Sequence, residues 1–380
     1  MRVQESAIAA DTAAYQRVCA LLDDSARLRT ADADQSSRLA LEARVLARTH
    51  DHPALEAQAL YHLASIAHQQ GRPEDAFALA SEAIALTPAN EISLTVAWSQ
   101  HLLGVVHYQS SNFAEALDAC QRALDVYRST DHVVDEGRIL HTIAAIHQTM
   151  GDYERATENY ETALAVNEAV GRPDVDAMVL GNLARIRGRR GDYPVAIELG
   201  NRAVALARSE APHLVGSLLA DLAEAHAGLG DLSAAEGCFD EARSSWPGRA
   251  QAGDGQLLSE QLGVMVSEGR VALRSGRLDE AIAALLAALD LADRTDQREL
   301  ELDLHDLLAT AYKQAGRPAE ALEQRERHFA LHREVSTDAV DLRMRTMRIA
   351  HENENARLLG QVTRLTTSGL IQGYAAEHTD

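Results

Sequence analysis

The sequence predicts an all-α protein, an α-solenoid of about seven helical hairpins, on three observations. A short turn signal recurs at a nearly fixed interval, and small residues stand at fixed distances on both sides of every copy. Aromatic residues make up only 4% of the 380 positions, while Ala, Leu, Glu and Arg abound. Scarce aromatics disfavour the strands of a sandwich or barrel, and the abundant residues are strong helix formers.

The turn copies read GRPEDA from 71, SNFAEA from 111, GDYERA from 151, GDYPVA from 191, GDLSAA from 230, GRLDEA from 276 and GRPAEA from 316. Their intervals are 40, 40, 40, 39, 46 and 40. Such a period marks an architecture in which each unit buries its apolar face against its neighbours. Each copy ends on alanine (Ala76, Ala116, Ala156, Ala196, Ala235, Ala281, Ala321), and two helical turns further on alanine stands again at 83, 123, 163, 203, 242 and 288, with His328 the exception. Seven residues before each copy begins stand Ala64, Gly104, Ala144, Ala184, Ala223, Gly269 and Ala309. A seven-residue spacing keeps residues on one helical face, where an absent side chain lets a neighbouring helix approach. Each unit is therefore two helices joined by a tight turn.

The flanks are read by the same rules. Residues 11–48 form a degenerate helix pair, one helix near 11–29 and another near 34–48, the second opened by the capping run from Asp32 to Ser37. Residues 1–54 thus cap an array of 55–330. The 46-residue interval contains SSWPGRAQAGDGQ (244–256), an inserted loop by its Pro, Gly and polar content, in which Trp246 packs on its own repeat or anchors a ligand. From 331 to 359 there is neither Pro nor Gly. There Val340, Met344, Met347, Leu358, Val362 and Leu365 approximate a heptad seam broken by His351 and Glu354. The 331–380 segment is expected to cap the array over 331–345, then to project outward as a helix that pairs with a second copy.

Net charge is −21, and Lys313 is the only lysine. An acidic chain repels nucleic acid and anionic lipid, so neither is an expected partner. No apolar run approaches the ~20 residues that span a bilayer, and the first ten residues lack a signal peptide's charged and apolar blocks. A cytoplasmic protein is expected. Cys19, Cys120 and Cys238 lack C-x-x-C spacing and read as buried free thiols. The 16 histidines contain no H-E-x-x-H pair, and there is no phosphate-binding loop or G-x-S-x-G elbow. Neither metal, cofactor nor catalytic residue is expected. The recurring His62, His68, His101, His107, His141 and His147 read as solvated groove residues or a pH-sensitive surface.

The leucine-small pair, the G-D-Y-like turn and the doubled alanine resemble tetratricopeptide repeats over about 55–330. The closing proline of that family appears once, as Pro88, and its early aromatic is mostly replaced by leucine, at Leu60, Leu140, Leu180 and Leu219. The period near 40 resembles the long-helix subclass found in bacterial signalling proteins. The resemblance implies a right-handed superhelix whose first helices line a concave groove that holds a peptide or a partner's helix. The tail, through H-R-E-V and D-L-R-M-R, resembles the helix that leads into a diguanylate cyclase in bacterial regulators. That enzyme's G-G-D/E-E-F signature is not in the sequence.

Positions left over on each first helix after packing is assigned form a stripe at i, i+3, i+7 and i+10. It carries Tyr61, His62, His68, Trp98, His101, Tyr108, Arg138, His141, Asn182, Arg185, Arg189, Arg270 and Arg274, with Asp221 and Glu224 between the arginines and Asp306 and Lys313 after them. Arginine near a helix C-terminus also gains from the helix dipole, which suffices for Arg190 but not for Arg185. The family resemblance implies that Asn182 bonds a peptide backbone. Guanidinium binds carboxylate in two-pronged fashion, so Arg185 and Arg189 point to an acidic segment or a free C-terminus. The expected function is a non-catalytic peptide- or protein-binding module of a bacterial regulatory protein, dimerising through its C-terminal helix. Two other readings are the sensory input region of a diguanylate cyclase or other second-messenger enzyme, and a receptor for a small signalling peptide.

Overall fold

The structure, a computed structural model, describes residues 2–29, 31–88, 92–244, 246, 255–295 and 297–377, with most side chains from 11 to 351. Among the described residues there are sixteen α-helices and no strand. They are α1 (Arg2–Leu28), α2 (Ala33–Thr49), α3 (Pro53–Gln69), α4 (Pro73–Ala85), α5 (Leu94–Gln109), α6 (Phe113–Ser129), α7 (Val133–Thr149) and α8 (Tyr153–Val170). There follow α9 (Pro173–Arg189), α10 (Tyr193–Glu210), α11 (Val215–Leu229), α12 (Leu232–Ser244), α13 (Gly255–Arg274), α14 (Leu278–Arg294), α15 (Arg298–Gln314) and α16 (Pro318–Glu377). The chain is an all-α solenoid of consecutive helical hairpins.

Each sequence repeat marks the break inside one hairpin. The first residue of every turn copy has positive φ: Gly71, Ser111, Gly151, Gly191, Gly230, Gly276 and Gly316. The following N–H reaches back five residues to a carbonyl of the first helix, as in Arg72 to Ala67 (2.9 Å), Asn112 to His107 (2.8 Å) and Asp192 to Arg187 (2.9 Å). This is a Schellman cap, which satisfies orphan carbonyls and turns the chain through a left-handed residue. Proline opens α3, α4, α9 and α16, where its missing donor costs nothing. Asp32 caps α2 by accepting from Gln35 N at 2.9 Å.

The small residues do the packing expected of them. Ala76, Ala83, Ala116, Ala123, Ala156, Ala163, Ala281 and Ala288 are fully buried. A β-carbon on Gly104 would overlap the Cys120 sulfur of α6, and one on Gly269 would overlap Leu285 of α14. These close approaches leave Leu60, Ile66, Ile139, Ile146, Leu219, Leu262 and Leu285 to fill the layers between hairpins, each contributing roughly 1.5–3 kcal/mol of burial.

The chain divides into two compact units. The first comprises 1–132 together with 339–380, and the second 133–338. Within the first, α1 and α2 precede the hairpins α3–α4 and α5–α6. Within the second, α7–α8, α9–α10, α11–α12 and α13–α14 are followed by α15 and the start of α16. Trp246 packs against the core shared by α9 to α13. Most of the inserted loop, 245 and 247–254, lies outside the described residues.

Two expectations are corrected. Of the cysteines only Cys120 is buried, its thiol pushed up to about 12 by burial; Cys19 and Cys238 are half-buried. α16 runs as one helix from Pro318 to Glu377. Residues 346–349 do not project outward. Thr346 is fully buried, and Ile349 packs on the core of α3 to α6. Val340, Met344 and Met347 of the seam are exposed, and the side chains of Glu354, Leu358, Val362 and Leu365 lie outside the described residues.

Candidate ligand-binding helix faces

In the first unit the predicted stripe is aromatic. Tyr61 of α3 and Trp98 of α5 are half-buried, with ring centroids 5.5 Å apart and planes tilted by 30°. His132, just before α7, meets the Trp98 indole edge-on at 6.2 Å. A row of flat rings one repeat apart offers apolar area that costs little entropy to order. Tyr108 lies beside Phe113 at 6.2 Å, and His101 is half-buried.

His62 departs from its predicted place. It is only 6% exposed, with Nδ1 3.4 Å from Ser25 Oγ of α1, and the Arg29 guanidinium of the same segment is held by Ser65 at 3.3 Å. Burial, reinforced by Arg29, pushes the imidazole down to about 4. His68 and His107 are also shifted downward, chiefly by burial. His62 is thus a packing group of the α1–α3 contact, while His68 and His107 are half-buried. Sequence reasoning missed this because the covering helix α1 belongs to the degenerate pair, which lacks the repeat signature.

In the second unit the stripe is polar and continuous from α7 to α15. Arg185 of α9 donates through Nη2 to Asn182 Oδ1 at 2.9 Å and through Nε to Asp221 Oδ2 of α11 at 3.2 Å. Guanidinium only donates, so the Asn182 oxygen faces it and the amide nitrogen faces the other way. That nitrogen lies 3.0 Å from His141 Nε2 on α7. His141, pushed down to about 4 by burial and by the Arg185 charge, is neutral and accepts there, so its proton sits on Nδ1. Its ring stands 5.5 Å from that of Tyr160.

Further along, Glu224 of α11 accepts from Ser267 Oγ at 2.8 Å and pairs with Arg270 of α13 at 3.5 Å. Arg270 continues to Asp303 of α15 at 3.3 Å, while Arg274 bonds the Glu224 carbonyl oxygen at 2.9 Å. Asp306 pairs with Arg325 of α16. The Asp221 carboxyl is raised by burial against the pull of Arg185, and the Arg185 guanidinium is held more firmly charged by Asp221.

Asn182 is engaged by His141 of the preceding hairpin and by Arg185 of its own helix, and Arg185 by Asp221 of the next hairpin. Arg189 and Arg138 are exposed; Arg189 reaches the Tyr153 hydroxyl at 3.4 Å, and Arg138 pairs with Asp135 at 3.5 Å. Among the described residues no group of three or more His, Cys, Asp or Glu could hold a metal ion, and no helix is long and apolar enough to cross a membrane.

Repeated hairpins with an αL cap and paired alanines define a helical-repeat scaffold. Tetratricopeptide repeat profiles match residues 25–91 and, in overlapping windows, 95–169, 135–209, 175–247 and 262–334. The chain belongs to the tetratricopeptide repeat family. Among solved structures, the apo form of RapI is similar at 14% identity and a TM-score of 0.63, covering 74% of this chain and 99% of that one. The Rap conjugation gene regulator of plasmid pLS20 in complex with the Phr* peptide is similar at 12% identity and a TM-score of 0.58, covering 84% and 96%. The apo quorum sensor NprR from B. thuringiensis is similar at 14% identity and a TM-score of 0.63, covering 82% and 86%. At such identities the likeness is one of fold. No curated protein matches the chain in sequence.

Proposed function

We propose that the chain is a non-catalytic regulatory module of a bacterial cytoplasmic signalling system, and that the first-helix face of its second unit holds an extended peptide or a segment of a partner protein. The observation that carries this is the polar ladder from His141 to Asp303. These groups bridge neighbouring first helices, and each successive first helix contributes to the row. The Phr* complex of a fold neighbour supports a peptide as the ligand class.

Arg185 and Asn182 act as a fixed brace in this reading, and an acidic side chain or free C-terminus of the ligand meets Arg189 and Arg138. The test is selection from a displayed library of random peptides on the wild-type chain, with counter-selection on Arg189→Glu. Enrichment of acidic or carboxyl-terminal motifs that the variant no longer holds supports the reading. Enrichment unaffected by the variant moves the site elsewhere, and no enrichment removes the peptide reading. A second proposal concerns self-association: Val340, Met344 and Met347 form one exposed stripe of α16, suited to pairing with a second copy.

A further inference from the structure

In the first unit, α16 lays one side onto the repeats. Leu342, Thr346 and Ile349 follow the i, i+4, i+7 spacing of one helical face. Leu342 is half-buried and Thr346 fully buried, while Ile349 packs on a core made by Ala64, Ala67, Phe77, Ala80, Leu103 and Val106. Val340, Met344 and Met347 follow the same spacing two residues earlier, about 200° round the helix, and are 57%, 64% and 55% exposed.

The seat is charged to match its occupant. Arg345 donates to Glu74, at the start of α4, at 2.6 Å. Arg343 acts on His107 from the same neighbourhood as Glu115 and Asp118 of α6, both exposed carboxylates. An apolar strip bordered by Glu74, Glu115 and Asp118, the last also paired with Arg122, therefore receives an apolar stripe flanked by arginines. Among the described side chains of this stripe, Thr346 is fully buried and Leu342 and Ile349 are half-buried. Most of the surrounding surface of α16, including Arg343, Met344 and Arg345, stays exposed.

We infer that the α3–α6 face is a docking surface for an arginine-bearing amphipathic helix, that residues 342–349 fill it in cis, and that a partner protein's helix of the same pattern displaces them. This does not depend on the peptide reading of the second unit. A tethered occupant competes at high effective concentration, so a free helix binds well only when the tether's own contact is weakened.

The test uses the full chain and, as probe, a fluorescently labelled synthetic peptide of residues 336–351, STDAVDLRMRTMRIAH, read by anisotropy. Ile349→Asp empties the seat and is expected to bind the probe at least about tenfold more tightly than wild type. Arg345→Glu, made at an exposed position, loosens the cis contact without entering the core and is expected to show a smaller gain in the same direction. Adding Glu74→Arg to Ile349→Asp reverses the gain, and a probe with both Arg343 and Arg345 replaced by Glu does not bind. Equal binding by wild type and both variants, binding by none of them, or indifference to the Glu-substituted probe overturns the inference. Pairing of the probe with the exposed stripe of α16 would appear as equal binding, and so counts against it.

Discussion

Arg185 donates through Nε to Asp221 Oδ2 at 3.2 Å, tying the first helix of one hairpin to the first helix of the next. The Arg185 side chain is 41% exposed and that of Asp221 is 23% exposed, so solvent weakens the pair without cancelling it. Arg185→Ala strands a half-buried carboxylate that already resists ionisation, and is expected to cost about 2 kcal/mol. Arg185→Ala with Asp221→Ala costs less than the two single changes together, a coupling that urea unfolding of all four proteins reads directly.

Acid sensitivity follows from His62. Its folded value, about 4, lies below the ordinary 6.5, so the unfolded chain takes up the proton first. The contribution is therefore fully present above pH 6.5 and is lost as pH falls through the folded value, at about 1.4 kcal/mol per pH unit in between. His141, shifted down to about 4 as well, adds a second proton with the same sign. Denaturation midpoints measured at pH 7 and pH 5 are expected to fall for the wild type and to fall less for His62→Gln.

Ser111 occupies a left-handed position with φ of 55° that glycine holds in the other six turn copies. A side chain there costs about 1 kcal/mol that glycine avoids, less the greater freedom glycine gives the unfolded chain. Ser111→Gly is expected to stabilise by about 0.5 kcal/mol, read as a small rise in the thermal midpoint. The converse change, Gly151→Ser, is expected to lower it.

Gly104 faces the Cys120 sulfur and lies against the Ala116 carbonyl of α6. Gly104→Ala must push the two helices of that hairpin apart, at about 1–3 kcal/mol. Removing the sulfur makes room, so Gly104→Ala with Cys120→Ala recovers part of the loss. A double variant no better than the single one would show that the backbone carbonyl, not the sulfur, sets the limit.

The hairpins were legible because their determinants are local. A left-handed residue and two small residues at fixed spacing are written within about two helical turns. The polar stripe was legible as a face, since Arg185 and Arg270 fall on it by helical spacing alone. The pairing was not read, although carboxylates one repeat away, at Asp221 and Asp303, were on the same stripe. The two pairs stand 36 and 33 positions apart, short of the full period, so a search for opposite charges at one full repeat passes over both. The burial of His62 had no such signal, because Ser25 and Arg29 sit in a segment without the repeat pattern. The seat of Ile349 had none either, since Arg345 and Glu74 are 271 positions apart.

The regular αL turns also say where this scaffold can change its length. In all seven copies the left-handed residue stands five positions before the first packing alanine, including the copies that flank the 46-residue interval. Added residues therefore accumulate between hairpins, as after α12, and not inside one, where a single insertion would rotate the small face away from its neighbour by about 100°. Each hairpin behaves as a cassette. Asp131 and Gly171, the left-handed residues that separate α6 from α7 and α8 from α9, are the joints at which one could be exchanged, and with it the charges shown on that step of the ladder.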